Sequence, residues 1–432
     1  EMCIRDRLKR DLFSATSQGA EGELRISLPE HLRPERVSSG TEGNADVEEF
    51  SMMTIRIDYV LEDVHEAIQV IQPTADAPYR VPHMYTRPLG LNSSRCWVPC
   101  LDSLWDRCTW ELEYVVPRRL SVDMGDLDDE TPEIYVISSG ELTEHAMHPQ
   151  NPEKSVFYYT QQVATSVQHV AFCAGPFVMT RLSPAGLQTC ETLSFCLPEH
   201  EHELRSTTQF AWQAIEYISS EYGSYPFGSF KLVFVDGTHE DCHTASTLAI
   251  CSSDLLHPPS VIDQAFENRH ILSHAVAFQW VGINIIQKTW ADTWLIHGLS
   301  QYLASMFLRW LLGNNEYRFR MKKDCDRLCH WDIGMPPLYQ AGRDEPLDPQ
   351  LLSFVNLKAP LVLYLLDRRL CKMGASLGLG RVIPKVFLQA ITGEMSNNAL
   401  GTHSFLRTCK KVSSADLRLF MDQWINGSGC PR

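Results

Sequence analysis

Residues 261–281 carry apolar side chains on nearly every side of a helical projection. A helix of that kind is built for burial and needs a domain large enough to surround it. A second helical run follows at 290–312, where Trp290, Trp294, Tyr302, Met306 and Trp310 share one stripe. Leu295, Leu299, Leu303, Phe307 and Leu311 form the adjoining stripe, and Gly313 stands as the stop. Further helical segments are expected at 207–223, ending at Gly223, in "LKAPLVLYLLDRRL" and in "SSADLRLFMDQW" at 413–424. "SFKLVFVD" at 229–236 reads as a strand among them.

The first half of the chain obeys a different period. "ELRISL", "FSMMTIRIDYVLE", "AIQVIQP", "CTWELEYVVP", "EIYVISSGEL", "SVFYYTQQV" and "HVAFCAGPFVMTRL" are short runs rich in β-branched and aromatic residues, separated by turn formers. Residues 54–59 alternate, which places one face on a core. An acidic stretch at 123–133 reads as a solvated loop, and residues 181–207 as a connection leading into a helix. The expected fold class is multidomain α+β. A leader at 1–19, non-native or disordered, precedes an N-terminal antiparallel β-domain at 20–196 and a mainly α-helical domain at 197–432.

Composition narrows the function. The chain has 432 residues, with Lys+Arg 38 against Asp+Glu 53, a net charge of −15. Phosphate backbones repel such a surface, so nucleic-acid contact would need a local basic face such as Arg318, Arg320, Lys322 and Lys323. The 14 cysteines include no C-x-x-C and no regular framework, and they read as reduced thiols of a cytosolic or nuclear protein. The longest apolar run, "APLVLYLL", is too short to span a bilayer, and no secretory signal is visible. No membrane partner is expected.

The helix at 261–281 carries a sharper signal. Zinc peptidases of the H-E-x-x-H type place two histidines one turn apart with a glutamate beside the first. Here His274 fills the first histidine position, Ala275 the glutamate position and Phe278 the second histidine position. "HAVAFQWVG" (274–282) and "WADTWLIHGLSQYL" (290–303), with "FCAGPF" (172–177) and "YPFGSFKLVFVD" (225–236), resemble the zinc aminopeptidases related to aminopeptidase N and leukotriene hydrolase. Gln279, Trp280, Gly282, Trp290, Asp292, Trp294 and Gly298 fall in register with that pattern. The resemblance implies a thermolysin-like, aminopeptidase N-like second domain.

It also implies what should stand at each working position. The third ligand, a glutamate, follows 18 intervening residues after the second, which lands on His297. The G-x-M-E-N segment that grips a substrate amine is replaced by "GTHEDCHTAST", with Glu240 in a different context. The oxyanion tyrosine of "Y-x-K-G" corresponds to Asn356, two residues before Lys358. Catalytic residues, bound cofactor and metal are therefore expected to be absent, with His274, Ala275, Phe278, His297 and Asn356 marking a degenerate zinc site. One alternative is a metal site displaced by one turn, built from His270 and His274 with His297, His239 or His243.

Within this fold the chain resembles a noncatalytic branch, the subunit 2 family of the general transcription factor TFIID. The stretches "LNSSRCWVPCLDSLWDRCTWELEYVVP", "MGDL", "FKLVFVDGTHEDCHTASTLAICSSDLLH", "LKAPLVLYLLDRRL" and "DQWINGSGCPR" carry that resemblance. It implies a nuclear scaffold for core-promoter recognition and preinitiation-complex assembly by RNA polymerase II. Its implied partners are the largest TBP-associated factor, histone-fold subunits and TBP, with promoter DNA reached through the assembled complex. It also implies a further β-sandwich and helical repeats beyond residue 432. A peptide-binding pseudo-aminopeptidase, with Trp280, Trp290 and Trp294 along a groove, is the alternative function; a residual zinc aminopeptidase is a third.

Overall fold

The computed structural model describes residues 24, 26–29, 36–37, 49–50, 52–62, 64, 67–87, 93–120, 132–184, 190–238, 240–372 and 378–430. The leader at 1–19, most of the acidic stretch at 123–133 and His239 lie outside them. The chain divides into residues 1–62 and 63–432. In the first unit, β1 (Arg36–Val37) pairs antiparallel with β2 (Glu49–Phe50). Residues 52–62 lie outside any strand, contrary to the strand expected from their alternation. Alternation marks a strand only where a second strand runs alongside, and here Ile55 and Ile57 are exposed.

In the second unit the sheets stack in layers. The outer sheet has the order β5 (Arg107–Pro117), β8 (Lys154–Ser166) and β7 (Glu141–Met147), all antiparallel. The next sheet has the order β3 (Ile68–Ile71), β4 (His83–Thr86), β9 (Phe172–Gly175) and β6 (Tyr135–Ser138). Val136, Phe157, Tyr159 and Ala174 fill the space between these two. A mixed sheet follows, in the order β10 (Val178–Arg181), β11 (Glu191–Cys196), β12 (Ser229–Val235), β14 (Leu248–Ser252) and β13 (Cys242–Ala245).

Strand β12 shows how the mixed sheet divides its two faces. It is buried at every position and parallel to both neighbours, β11 and β14, as a central strand covered on both sides must be. Val233 and Val235 pack toward the four-stranded sheet, while Leu232 and Phe234 join the helical core. Strand β11 corrects the expected connection at 181–207. Its run Thr192-Leu193-Ser194-Phe195-Cys196 has β-forming composition, but Pro184, Gly186 and Pro198 around it read as loop punctuation. The expected boundary at residue 196 falls at the end of β11, inside a sheet that both halves of the chain build.

Eight helices of at least eight residues follow among the described residues. They are α1 (Glu201–Thr208), α2 (Ala211–Glu221), α3 (Asp263–Phe278), α4 (Thr293–Leu312), α5 (Asn314–Trp331), α6 (Pro349–Lys372), α7 (Leu379–Ile391) and α8 (Thr402–Ser413). The single helix expected at 207–223 begins only after Phe210, because Thr208 bonds back to the Leu204 carbonyl at 2.6 Å as α1 ends. Gly223 follows the helix end with φ +150°, as expected of a stop. The segment 413–424 is less helical than expected, with one α-turn at Arg418–Phe420 running into a π-turn at Met421–Ile425. The pair β15 (Ile286–Gln287) and β16 (Ala399–Leu400) ties the loop after α3 to the start of α8. By length and composition alone α6 could cross a membrane. Its Phe354, Ala359, Leu363, Leu366 and Leu370 are instead buried in the helical core.

The segment "SLWDRCTW" clamps the sheets to the helices. Trp105 donates its indole N–H to the Gln287 carbonyl at 2.9 Å and packs edge-on against Trp290 at 5.0 Å. The Arg107 guanidinium reaches the carbonyls of Asn284, Asn397 and Ile283 at 3.0, 3.2 and 3.3 Å. Asn397 returns a hydrogen bond to the Trp105 carbonyl at 2.7 Å.

Candidate functional site

Helices α3 and α4 run beside one another and bring His274, Phe278 and His297 together. The Phe278 ring stands between the two imidazoles, with its centroid 5.6 Å from each. His274 Nε2 is hydrogen-bonded to Ser300 Oγ at 3.0 Å, and Ser300 in turn donates to the His297 carbonyl at 3.0 Å. Burial holds both imidazoles neutral. It pulls His274 down to about 3, with the neighbouring His297 contributing, and His297 down to about 4. Asn356 on α6 lies beside His297, but His297 Nδ1 and Asn356 Oδ1 are both buried short of hydrogen-bond geometry.

Zinc in a catalytic site takes three protein ligands and keeps an open position for water. A phenyl ring has no lone pair to offer, and here it packs against both candidate imidazoles. Ala275, 1% exposed, carries no carboxylate that could take a proton from a bound water. The residues present do not fit the metal. The described residues do not assemble the displaced site either. Among the described residues, the sole group of three or more His, Cys, Asp or Glu donors within 4.8 Å of one another is Glu199, His200 and Asp236. His270, His274 and His297 form no such cluster, and His243 is half-buried on β13 with its pKa pulled down to about 4 by desolvation. Glu240 is exposed.

The surrounding positions of the motif hold the frame. Gln279 receives the Thr247 N–H and donates to the Ala245 carbonyl, both at 2.9 Å, fixing the turn between β13 and β14. Trp280, 2% exposed, donates to the carbonyls of Gly223 and Ser224 at 3.0 and 3.2 Å. Gly282 has φ +139°, and a Cβ there would lie 2.4 Å from the Phe278 ring. Asp292 closes a capping box with Thr289 and accepts the Thr402 N–H at 2.7 Å, so one carboxylate starts α4 and anchors α8. Trp294 bonds Thr402 Oγ1 at 3.1 Å. A Cβ at Gly298 would meet Ala359 and Leu363 at 3.0 Å, which is how closely α4 packs on α6.

Trp280 and Trp294 are thus core residues, and Trp290 and Trp294 line only a pocket of about 10 Å³, too small for a peptide. A cavity of about 370 Å³ opens elsewhere, between α3, α4, α5 and α6, lined among others by His270, Gln301, Arg320, Asp324, Trp331 and Asn356. His270 Nε2 and Asn356 Oδ1 are buried there without a hydrogen bond. Ser300 and Gln301 escaped the sequence reading because small and polar residues on an apolar stripe carry no mark of their own. The basic face is largely neutralised. Arg320 pairs with Glu316 at 2.6 Å and Glu267 at 2.8 Å, Lys322 with Asp326 at 2.9 Å, and Lys323 approaches Glu267 at 3.9 Å. Arg318 is exposed.

The chain is similar in fold to two solved enzymes. It matches native yeast LTA4 hydrolase with a TM-score of 0.62 at 16% identity, over 84% of this chain and 53% of that one. It matches the M1 zinc metallopeptidase from Deinococcus radiodurans with a TM-score of 0.59 at 18% identity, over 81% and 71%. No family model matches the chain. Among curated proteins, transcription initiation factor TFIID subunit 2 of Schizosaccharomyces pombe is 36% identical over 433 residues, covering 89% of this chain. The matched segment spans 37% of that relative's length. Over nearly all its length, then, this chain is a homologue of the TFIID subunit 2 proteins, built on the fold of the M1 zinc peptidases.

Proposed function

We propose that this chain is part of a noncatalytic TFIID subunit acting in the nucleus, a rigid frame that helps assemble the preinitiation complex on core-promoter DNA. One observation carries the reading: every motif position that shapes the fold is used in packing or capping, while the positions that would do chemistry hold Ala275, Phe278, His297 and Asn356. A fold can be kept for its surfaces once its pocket has lost its chemistry. The partners are other TFIID subunits, among them the largest TBP-associated factor, histone-fold subunits and TBP. With a net charge of −15 and three of the four basic side chains at 318–323 facing carboxylates, promoter DNA is reached through the assembled complex. Affinity purification of the tagged full-length protein from nuclear extract should recover TBP and its associated factors. Recovery of the bait without them would overturn the reading.

The cavity beside His270 favours a second reading, a pseudo-aminopeptidase that binds peptide without zinc. Its volume of about 370 Å³ suits a short segment, and His270, Gln301, Arg320 and Asn356 are among its lining residues. Calorimetric titration with a mixed peptide library should give saturable heat that His270→Leu removes; heat absent at high concentration would end this reading.

A further inference from the structure

Strands β13 and β14 are antiparallel and joined through Thr247, whose φ is +58°. Their register sets Cys242 directly opposite Cys251, with the two sulfurs 3.0 Å apart. Opposed residues of an antiparallel pair have Cα atoms about 4.5–5.5 Å apart, inside the roughly 4.4–6.8 Å that a disulfide spans. Closing an S–S bond here requires side-chain rotation and no shift of backbone. Neither residue is in a disulfide in this structure. Their exposures differ: Cys242 is half-buried, and Cys251 is 0% exposed in the helical core. A small oxidant reaches Cys242, and the nearest thiol to it is Cys251. Burial, and then the hydrogen bond with Cys242, keeps the Cys251 thiol protonated, which restrains it from reacting with anything else.

We propose that Cys242 and Cys251 are a redox pair that closes into a cross-strand disulfide when a peroxide reaches Cys242. The Cys242 thiol gives up its proton as its sulfur attacks one peroxide oxygen; the O–O bond breaks and the departing hydroxide takes up that proton, so hydrogen peroxide yields a sulfenic acid and one water. The Cys251 sulfur then attacks the Cys242 sulfur, the S–O bond breaks, and the departing hydroxide leaves with the Cys251 proton as a second water. Two thiols lose two electrons, and the peroxide gains them. A small dithiol reverses the bond by exchange. Strand β13 is an edge of the five-stranded sheet, and its last residue, Ala245, is held by Gln279 just past the end of α3. The bond therefore pins the sheet edge that buttresses the helix of His274.

Trypsin cleavage after Lys231 and Arg269 releases a peptide, 232–269, whose only cysteines are Cys242 and Cys251. The full chain is exposed to stoichiometric hydrogen peroxide, quenched into denaturant with an alkylating agent, and digested without reductant. The expected peptide carries no alkyl group and is lighter by the two thiol hydrogens, while Cys108 and Cys325 are still alkylated. Dithiothreitol before alkylation should restore the doubly alkylated form. Two alkyl groups after peroxide, or a sulfinate at Cys242 beside an alkylated Cys251, would overturn the proposal. Cys242→Ser, at the half-buried position, should leave Cys251 alkylated at every peroxide concentration. Protection of Cys251 in that variant would equally overturn it.

Discussion

Phe278 occupies a ligand position of the peptidase pattern, and the room for its ring comes from Gly282 one turn later. The two residues should therefore be coupled. Gly282→Ala places a Cβ 2.4 Å from the ring at a positive φ, and overpacking of this kind costs about 1–3 kcal/mol. Combined with Phe278→Leu, the Gly282→Ala penalty should shrink, and a double-mutant cycle on denaturation midpoints reads that relief. Simple additivity would show that the ring does not occupy the space. The buried imidazoles make a second, pH-dependent expectation. His169 and His274 are pulled down to about 3, and His243 and His297 to about 4, chiefly by burial. Unfolding returns each to about 6.5, so the unfolded state binds more protons as pH falls. Stability should be fully present above about pH 6.5 and fall as pH drops toward about 4, by up to about 1.4 kcal/mol per unit for each histidine. His274→Asn should flatten that slope in urea titrations; an unchanged slope would mean that His274 is not held neutral.

Among the elements, α6 carries the costliest buried group. Lys358, 0% exposed, meets both oxygens of Asp332 at 2.8 and 2.9 Å and joins α6 to the residue that ends α5. Removing one partner of a buried ion pair typically costs about 3–5 kcal/mol, because the other charge is left without compensation. Lys358→Met should lower the unfolding midpoint strongly, and Lys358→Met with Asp332→Leu should recover most of the loss. The sequence showed Lys358 only as a motif position, since a buried partner 26 residues away leaves no local trace. Helices α3 and α4 were legible because every turn repeats the same apolar demand. Strand β11 was not, since six residues between prolines and glycines look like loop until β10 and β12 are placed on either side. Positions 274, 275, 278, 297 and 356 were legible as a register, but the Ser300 bridge and the cavity beside His270 depend on how four helices meet.

For the molecule as a whole, rigidity depends on how the sheets are held to the helices. Trp105 and Arg107 make that join through main-chain carbonyls at 283, 284, 287 and 397. Arg107→Ala should raise hydrogen exchange in the 283–287 loop and around Asn397 while sparing the interior of β12; exchange unchanged at both loops would show that the clamp is dispensable. If the frame is what is used, the same variant should weaken recovery of TBP-associated factors more than His274→Asn does. The most direct test of the proposal that the site has lost its chemistry is its metal content. Purified protein dialysed against zinc and assayed by elemental analysis, with turnover of an aminoacyl-coumarin measured alongside, should show no stoichiometric zinc and no chelator-sensitive hydrolysis. One zinc per chain that His274→Ala removes, accompanied by hydrolysis, would contradict it.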